Sequence, residues 1–168
     1  MTAVRLVKTF SLLVALVVFA SGVARSSALA QSSPNIGVNA KLATDSVKPG
    51  RVVRGTVTIE IPSGFHVNSS RPLEKFLIPT QLKIDSPKGI RVGAVMYPRA
   101  VLRNFKFSKN KVSVYEGRAT MSFSVMVPAN FPTGTSELKG HLRFQSCNDE
   151  VCFPPQTRDV SLWLTIKN

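Results

Sequence analysis

Arg143-Phe-Gln-Ser-Cys-Asn-Asp-Glu-Val-Cys-Phe-Pro-Pro155 is the stretch that decides how this chain folds. It contains the only two cysteines, Cys147 and Cys152, with four residues between them. On either side, residues 138–144 and 160–166 alternate between apolar and polar side chains. A period of two is typical of half-buried β-strands. The stretch therefore predicts two strands joined by a loop that carries both cysteines.

The residues between and after the cysteines favour a tight connection. Asn148 and Asp149 are typical turn residues because their side chains bond to the nearby backbone. Pro154 and Pro155 have no backbone N–H to donate, so regular strand pairing is interrupted there. These features predict a β-hairpin whose strands end in cysteines that face each other. Opposed Cα atoms of paired strands lie about 4.5–5.5 Å apart, a separation that a disulfide can bridge.

The rest of the chain repeats short alternating segments divided by Pro, Gly, Asn and Asp. The segments are residues 36–42, 53–61, 65–68, 82–84, 90–96, 112–114 and 119–127. No window has the periodicity of a helix. Eight or nine short strands separated by turns predict an all-β protein, an immunoglobulin-like antiparallel β-sandwich. The segment from Arg99 to Asn110 is the least regular, and it carries Phe105 and Phe107 in polar surroundings.

The first thirty residues have the composition of a secretory signal peptide. Arg5 and Lys8 precede Thr9–Ala24, which carries no charge, and Ala28-Leu-Ala30 offers small residues for cleavage before Gln31. The alternative is an uncleaved membrane anchor. The uncharged run of sixteen residues is shorter than the roughly 20 that span a bilayer. We therefore expect residues 1–30 to be removed and residues 31–168 to form one periplasmic or otherwise exported domain without a stable membrane span.

The chain is strongly basic, with 22 Lys and Arg against nine Asp and Glu. Three basic residues and no acidic one lie in residues 1–30, so residues 31–168 would carry a net charge of +10. Such a balance favours anionic partners. The basic residues are scattered singly, with no run of five and no interleaved aromatic residues, which argues against nucleic-acid binding. A surface that attracts an acidic protein partner is the better interpretation.

Two interpretations of the cysteine pair follow from the residues alone. In an exported protein two cysteines normally form a disulfide. A bridge between Cys147 and Cys152 closes a ring of six residues, which would stabilise the fold by about 2 kcal/mol, against more than about 4 for a ring of ~100 residues. We expect a bridge beside Pro154 and Pro155 to be exposed and open to an attacking thiolate. Redox exchange and a structural bridge in a non-catalytic exported binding module both remain open.

Other chemistry has little support in the sequence. His66 and His141 are far apart in the chain, and no spacing of potential ligands indicates a metal site. The G-x-S-x-G motif of serine hydrolases is absent. The sequence therefore predicts no metal and no cofactor.

Phe144-Gln-Ser-Cys-Asn-Asp-Glu-Val-Cys-Phe-Pro-Pro155 resembles the active-site signature of the amino-terminal periplasmic domain of the disulfide-interchange protein DsbD. Further segments agree in the same order: Pro62-Ser-Gly-Phe-His-Val-Asn68, Phe76-Leu-Ile-Pro-Thr80, Tyr97-Pro98 and Val114-Tyr-Glu-Gly117. The resemblance implies an immunoglobulin-like domain that acts as a thiol–disulfide oxidoreductase or electron carrier. In that family the electrons pass from a thioredoxin-like domain to periplasmic disulfide isomerases or to thioredoxins of cytochrome c maturation.

The resemblance also implies roles for individual residues. Cys152 is expected to form the mixed disulfide with a partner, and Cys147 to resolve it. Phe105 or Phe107 is expected to cover the pair, as an aromatic residue on a loop does in the family. Phe153, Pro154 and Pro155 directly follow Cys152 and are expected to contact the partner.

The chain departs from the family pattern in two places. Arg103 and Asn104 precede Phe105, where the well-known member has an acidic pair. The full family protein continues into a membrane-embedded domain and a thioredoxin domain, whereas this sequence ends at Asn168. We therefore expect the electrons to come from thioredoxin-fold redox proteins or from a separate membrane electron-transfer protein.

Overall fold

A computed structural model describes residues 33–168, and the predicted signal segment lies outside them. Within the described residues the chain forms twelve strands and no helix. They are β1 (Gly37–Leu42), β2 (Ser46–Val47), β3 (Val52–Glu60), β4 (His66–Asn68), β5 (Gln81–Asp85), β6 (Arg91–Val92), β7 (Val101–Arg103), β8 (Val112–Tyr115), β9 (Arg118–Met126), β10 (Gly134–Phe144), β11 (Ser146–Cys147) and β12 (Gln156–Ile166). The predicted all-β class is confirmed.

The first sheet has the strand order β1-β3-β9-β6, and all its neighbours are antiparallel. Strand β9 shows why the chain is extended here. Ala119, Met121, Phe123 and Val125 are buried, while the residues between them are exposed or half-buried. This is the alternation expected when one face of a sheet packs on a core and the other faces water.

The second sheet has the order β2-β12-β10-β5. Its centre is the long hairpin of β10 and β12, which pair from Gly134 opposite Ile166 to Phe144 opposite Gln156. The predicted hairpin is therefore confirmed, and its two strands are longer than the alternating segments suggested. The cysteine loop emerges from the end of this ladder.

Side chains from these two sheets form one hydrophobic core. The largest of the fully buried side chains include Phe144, Ile59, Met121, Leu138, Leu142, Leu164 and Ile166. They come from strands β3, β9, β10 and β12, which lie in the middle of their sheets. The two sheets with this shared core are the predicted immunoglobulin-like sandwich.

A third, smaller sheet positions the cysteines. Its strand order is β11-β4-β8-β7, and every pair is antiparallel. It has a hydrophobic cluster of its own, in which Leu77, Val112 and Val114 are buried. Cys147 ends β11, so this sheet continues the β10 side of the hairpin beyond the sandwich.

The structure differs from the sequence interpretation in three segments. Residues 45–50, which separate the predicted strand segments 36–42 and 53–61, include β2, which pairs in parallel with the end of β12. This pairing gives the backbone of the last strand a partner, because the Thr165 N–H donates to the Asp45 carbonyl oxygen at 2.8 Å. The irregular segment 99–110 contains the short strand β7, which pairs with β8.

The third difference is the segment 90–96, expected as one continuous strand. Only β6 is regular, and Met96 returns to β9 as an isolated bridge to Ser122. The Gly93 N–H donates to the Ser124 carbonyl oxygen and the Met96 N–H to that of Ser122. One extra residue therefore lies on this side between the two bonds, which is a β-bulge at the edge of the sheet.

Candidate functional site

Cys147 and Cys152 form a disulfide at the tip of the hairpin. Their Cα atoms are 4.0 Å apart, and the two residues face each other as an isolated antiparallel bridge. Cys147 is fully buried, whereas Cys152 is partly exposed. The expectation of an exposed bridge is therefore wrong for Cys147, because β4 pairs with β11 and covers it. An incoming thiolate would reach the sulfur of Cys152 more readily.

The cysteine loop closes through backbone bonds and one asparagine side chain. The Asn148 N–H donates to the Val151 carbonyl oxygen at 2.9 Å. Asn148 Oδ1 accepts hydrogen bonds from the N–H groups of Glu150 at 2.9 Å and Val151 at 2.8 Å. The Phe153 N–H donates to the Ser146 carbonyl oxygen at 2.9 Å. Asn148 therefore stabilises the turn through its side chain, as the sequence predicted. These hydrogen bonds fix the spacing of the two cysteines.

Gln145 holds the tip to the rest of the domain. Its Oε1 accepts hydrogen bonds from Asn68 Nδ2 at 3.0 Å and from the Ile78 N–H at 3.1 Å. Its Nε2 donates to the Phe153 carbonyl oxygen at 3.1 Å. One side chain thus joins β4, the loop before β5 and the segment that leads from Cys152 to β12. The sequence analysis included Gln145 in the family motif but did not predict a role for its side chain.

Replacing Gln145 with leucine should destabilise the domain by about 2–4 kcal/mol, because buried partners of its amide lose their hydrogen bonds. The Ile78 N–H and the Phe153 carbonyl are left unpaired, while the shape of the side chain is roughly kept. The measurement is the free energy of unfolding in denaturant. Gln81→Leu is the matched control, since Gln81 is exposed on β5 and should change stability little. Equal stability of the two variants would contradict the assigned role.

Phe105 and Phe107 lie on the loop between β7 and β8 and pack against the third-sheet cluster together with Cys152. The ring of Phe105 stacks on the imidazole of His66, with centroids 3.9 Å apart. Phe107 lies parallel to Phe105 with centroids 5.3 Å apart. His66 is the cross-strand partner of Cys147. The loop therefore brings both phenylalanines to the same small cluster as Cys152.

Lys106, between the two phenylalanines, ties this loop to the cysteine loop. Its N–H donates to the Asp149 carbonyl oxygen at 3.1 Å, and its Nζ lies 3.1 Å from Glu150 Oε1. The ion pair is exposed, so it contributes at most about 1 kcal/mol. At the base of the loop Arg103 makes a bidentate pair with Glu116, in which Nε donates to Oε1 and an Nη donates to Oε2. Each contact restrains the loop only weakly.

His66 is the main electrostatic feature beside the bridge, and the sequence analysis considered it only as a metal ligand. The side chain is 2% exposed, and its Nε2 makes no hydrogen bond within residues 33–168. Burial lowers the pKa of His66 to about 4, although Glu116 and Asp149 oppose the shift. The ring is therefore neutral at pH 7. Its place within the Phe-His-Val-Asn segment of the family motif was the available signal.

The remaining predicted site residues lie around the tip. Phe153 is 6% exposed and packs on Phe65, with ring centroids 6.0 Å apart. Pro154 and Pro155 are exposed. The three residues thus present a buried anchor followed by two prolines at the surface, next to the partly exposed Cys152.

Other site types have no counterpart within residues 33–168. No three His, Cys, Asp or Glu side chains are grouped there as a metal ion would need. His141 lies apart from the cysteines on the second sheet, where its Nδ1 is 2.7 Å from Asp159 Oδ1 and its Nε2 is 3.3 Å from Asp85 Oδ2. The same part of the chain contains no helix that is long and apolar enough to cross a membrane.

Comparisons with known proteins agree with this geometry. The family described as thiol:disulfide interchange protein DsbD, N-terminal, matches residues 38–163. No curated protein sequence matches the chain at a significant level.

Three solved structures are similar at low sequence identity. The reduced DsbD amino-terminal domain of Neisseria meningitidis is 19% identical, with a TM-score of 0.47, over 74% of this chain and 82% of that one. The amino-terminal periplasmic domain of ScsB from Proteus mirabilis is 14% identical, with a TM-score of 0.52, over 79% of this chain and 48% of that one. A type I cohesin from Pseudobacteroides cellulosolvens is 13% identical, with a TM-score of 0.44, over 77% and 92%. The ScsB match shows a shared fold.

Proposed function

Because the chain belongs to the family of amino-terminal domains of the thiol:disulfide interchange protein DsbD, we propose that it relays electrons between thioredoxin-fold proteins in the periplasm. The Cys147–Cys152 pair carries them. The observation that supports this most directly is the asymmetry of the bridge: Cys152 is partly exposed and Cys147 is buried beneath it. One sulfur is available to a partner, and the other is held ready behind it.

The exchange proceeds in two balanced steps. A thiolate of a reduced partner attacks the Cys152 sulfur, the bond to Cys147 breaks, and Cys147 leaves as a thiolate. The second thiol of the partner then attacks the sulfur of the partner's first cysteine in the mixed disulfide, and Cys152 is released as a thiolate. The partner is oxidised to a disulfide, and this protein gains two electrons and, after protonation, two thiols. The reverse sequence passes the electrons to the disulfide of the next protein, with Cys147 closing the bridge again.

The charge of the surface near the pair suits an acidic partner. Lys109 and Lys111 are exposed in the loop that carries Phe105, and Lys106 is exposed beside Glu150. Positive charge of this kind speeds the encounter with a negatively charged surface and is screened by salt. Thioredoxin-fold redox proteins or a separate membrane electron-transfer protein are the donors we propose. Periplasmic isomerases and thioredoxins of cytochrome c maturation are the acceptors.

Export completes the proposal. Residues 1–30 act as a removable signal peptide, and residues 31–168 are the working domain. Amino-terminal sequencing of the protein recovered from the periplasm tests this, and a mature chain that still begins before residue 31 would contradict it.

The purified protein should exchange with a reduced periplasmic thioredoxin-fold protein, and its reduction potential should lie above about −300 mV, the range of exchanging rather than structural disulfides. Reducing the six-residue ring should cost at most about 2 kcal/mol of stability and leave the sandwich folded. Added salt should slow exchange with an acidic partner. If the bridge resists the reductant and its forced reduction unfolds the domain, the pair is a structural bridge in a binding module.

We further propose that Phe105 covers the pair in the resting state. Phe105→Ala should then speed reduction of the bridge by a small dithiol by about tenfold, since access to the sulfur limits exchange. The measurement is the rate of bridge opening in excess reductant. Phe131→Ala is the control, because Phe131 packs against the sandwich core instead. Unchanged rates of bridge opening in both Phe105→Ala and Phe107→Ala would contradict the proposal that an aromatic ring covers the pair.

A further inference from the structure

His66 and Cys147 occupy directly opposed positions on β4 and β11. Opposed residues of an antiparallel pair point to the same face of the sheet, with Cβ atoms about 4.5–5.5 Å apart. Cys147 also faces Cys152 on its other side. The buried sulfur is therefore flanked by its disulfide partner and by an imidazole.

The imidazole has a nitrogen without a partner. His66 Nε2 is buried and makes no hydrogen bond to any group in the described part of the chain. A buried polar atom left in this state costs about 1–3 kcal/mol. The aromatic stack with Phe105 covers one face of the ring and offers no hydrogen bond to the ring edge. A redox or catalytic role, in which the atom is used in another state of the protein, is one explanation for such an atom in a native structure.

Opening the bridge supplies that state. In the disulfide the Cys147 sulfur has neither proton nor charge and is at best a weak acceptor. When the bond to Cys152 breaks, the same sulfur becomes a thiolate, which accepts hydrogen bonds strongly. The new acceptor thus arises in the residue that directly opposes the unpaired nitrogen.

We propose that His66 donates a hydrogen bond from Nε2 to the Cys147 sulfur when the bridge is open, and so acts as a positioning residue for the resolving thiol. The proposal rests on the function proposed above and names a further residue of the same site. The hydrogen bond from His66 holds the sulfur of Cys147 toward the position that Cys152 occupies in a mixed disulfide. It also stabilises the charge that Cys147 carries as leaving group.

The charged groups that face His66 leave this role to the imidazole. Glu116, from the end of β8, is held by Arg103, and Asp149 approaches from the cysteine loop. The backbone carbonyl of Asp149 is bonded by the Lys106 N–H. None of these side chains makes a hydrogen bond to His66 Nε2 within residues 33–168. The ring stays neutral above the lowered pKa of about 4, so Nε2 can carry a proton to donate without adding a full charge.

The first test measures the thiol of Cys147 without any partner protein. In Cys152→Ala, Cys147 is the only thiol, and the ultraviolet absorbance of its thiolate gives its pKa directly. Adding His66→Phe keeps an aromatic ring against Phe105 and removes the donor. We expect the thiolate fraction at neutral pH to fall about tenfold, because a hydrogen bond to the charged form lowers a thiol pKa. His141→Phe in the same background is the matched control and should leave the thiolate fraction of Cys147 unchanged. Equal titrations in all three proteins would overturn the proposal.

The second test does not depend on how well His66→Phe folds. In Cys152→Ala the Nε2 nitrogen resonance of His66 should follow the titration of Cys147, while the His141 resonances should not follow it. A His66 resonance that ignores the thiol would refute the hydrogen bond. Both tests omit the redox partner, so they fail independently of the exchange reaction. If the bridge does not react with a partner but His66→Phe still lowers the thiolate fraction of Cys147, only the proposed carrier function is refuted.

Discussion

Cys147→Ser is expected to trap the protein on its redox partner as a stable mixed disulfide. In Cys152→Ser the rate of exchange is expected to fall to that of the uncatalysed reaction. The reason is the geometry of the pair, in which Cys152 is the sulfur near the surface and Cys147 lies fully buried. Without Cys147 this chain has no second thiol to break the bond between Cys152 and a partner. The partner is therefore used as a variant that lacks its own second cysteine, with its remaining thiol activated as a mixed disulfide with a small aromatic thiol, and non-reducing electrophoresis would detect the covalent complex.

The opposite result is also informative. If Cys152→Ser forms the complex and Cys147→Ser does not, the attacked sulfur is the buried one, and the loop must open before exchange. The double variant is the control for adventitious binding, because it has no thiol and should form no covalent complex. Reversal of the complex by reductant shows that the link is a disulfide.

Phe144→Ala should remove about 3–5 kcal/mol of folding stability, the range for deleting a fully buried aromatic side chain. Phe144 is among the largest side chains buried completely, and it ends β10 one residue before Gln145. A domain of this size has about 5–15 kcal/mol in total, so the loss is a large fraction. Phe76→Ala makes the same chemical change at a ring that is 62% exposed and should cost little. Denaturant unfolding of both variants gives the comparison.

Phe144→Ala also separates packing from chemistry. At low temperature and without denaturant, the folded fraction of the variant should exchange with a partner at nearly the normal rate, since the cysteine loop itself is unchanged. A loss of exchange in fully folded Phe144→Ala would show that the core residue controls the geometry of the pair.

The sandwich could be predicted from the sequence because its strands are long enough to show a period. Residues 119–127 alternate over nine positions, and the structure buries every second side chain there. The cysteine hairpin was predictable for the same reason, since β10 and β12 alternate on both sides of a loop with turn residues. Long, half-buried strands carry their own evidence.

Two strands of the third sheet, β4 and β8, coincide with the predicted segments 65–68 and 112–114, but β7 and β11 were not predicted. Strands of two to four residues are too short for their pattern to show that they pair as a separate sheet. Its existence explains why Cys147 is buried when its local sequence, a polar turn at a hairpin end, indicated exposure. The network of Gln145 was equally hidden. Its partners, Asn68, Ile78 and Phe153, are separated from it by 77, 67 and 8 positions, and only the fold brings them together.

The position of the disulfide beyond an eleven-residue ladder has a consequence for how the protein can change over time. The side chains that dominate the folding core lie between the two large sheets, whereas the residues proposed to control exchange lie in the six-residue ring, on β4 and in the loop between β7 and β8. Substitutions at exposed positions of the ring can therefore retune partner choice with little effect on stability. Substitutions between the sheets can raise heat resistance without altering the reaction. Selection, or an engineer, can adjust the two properties separately.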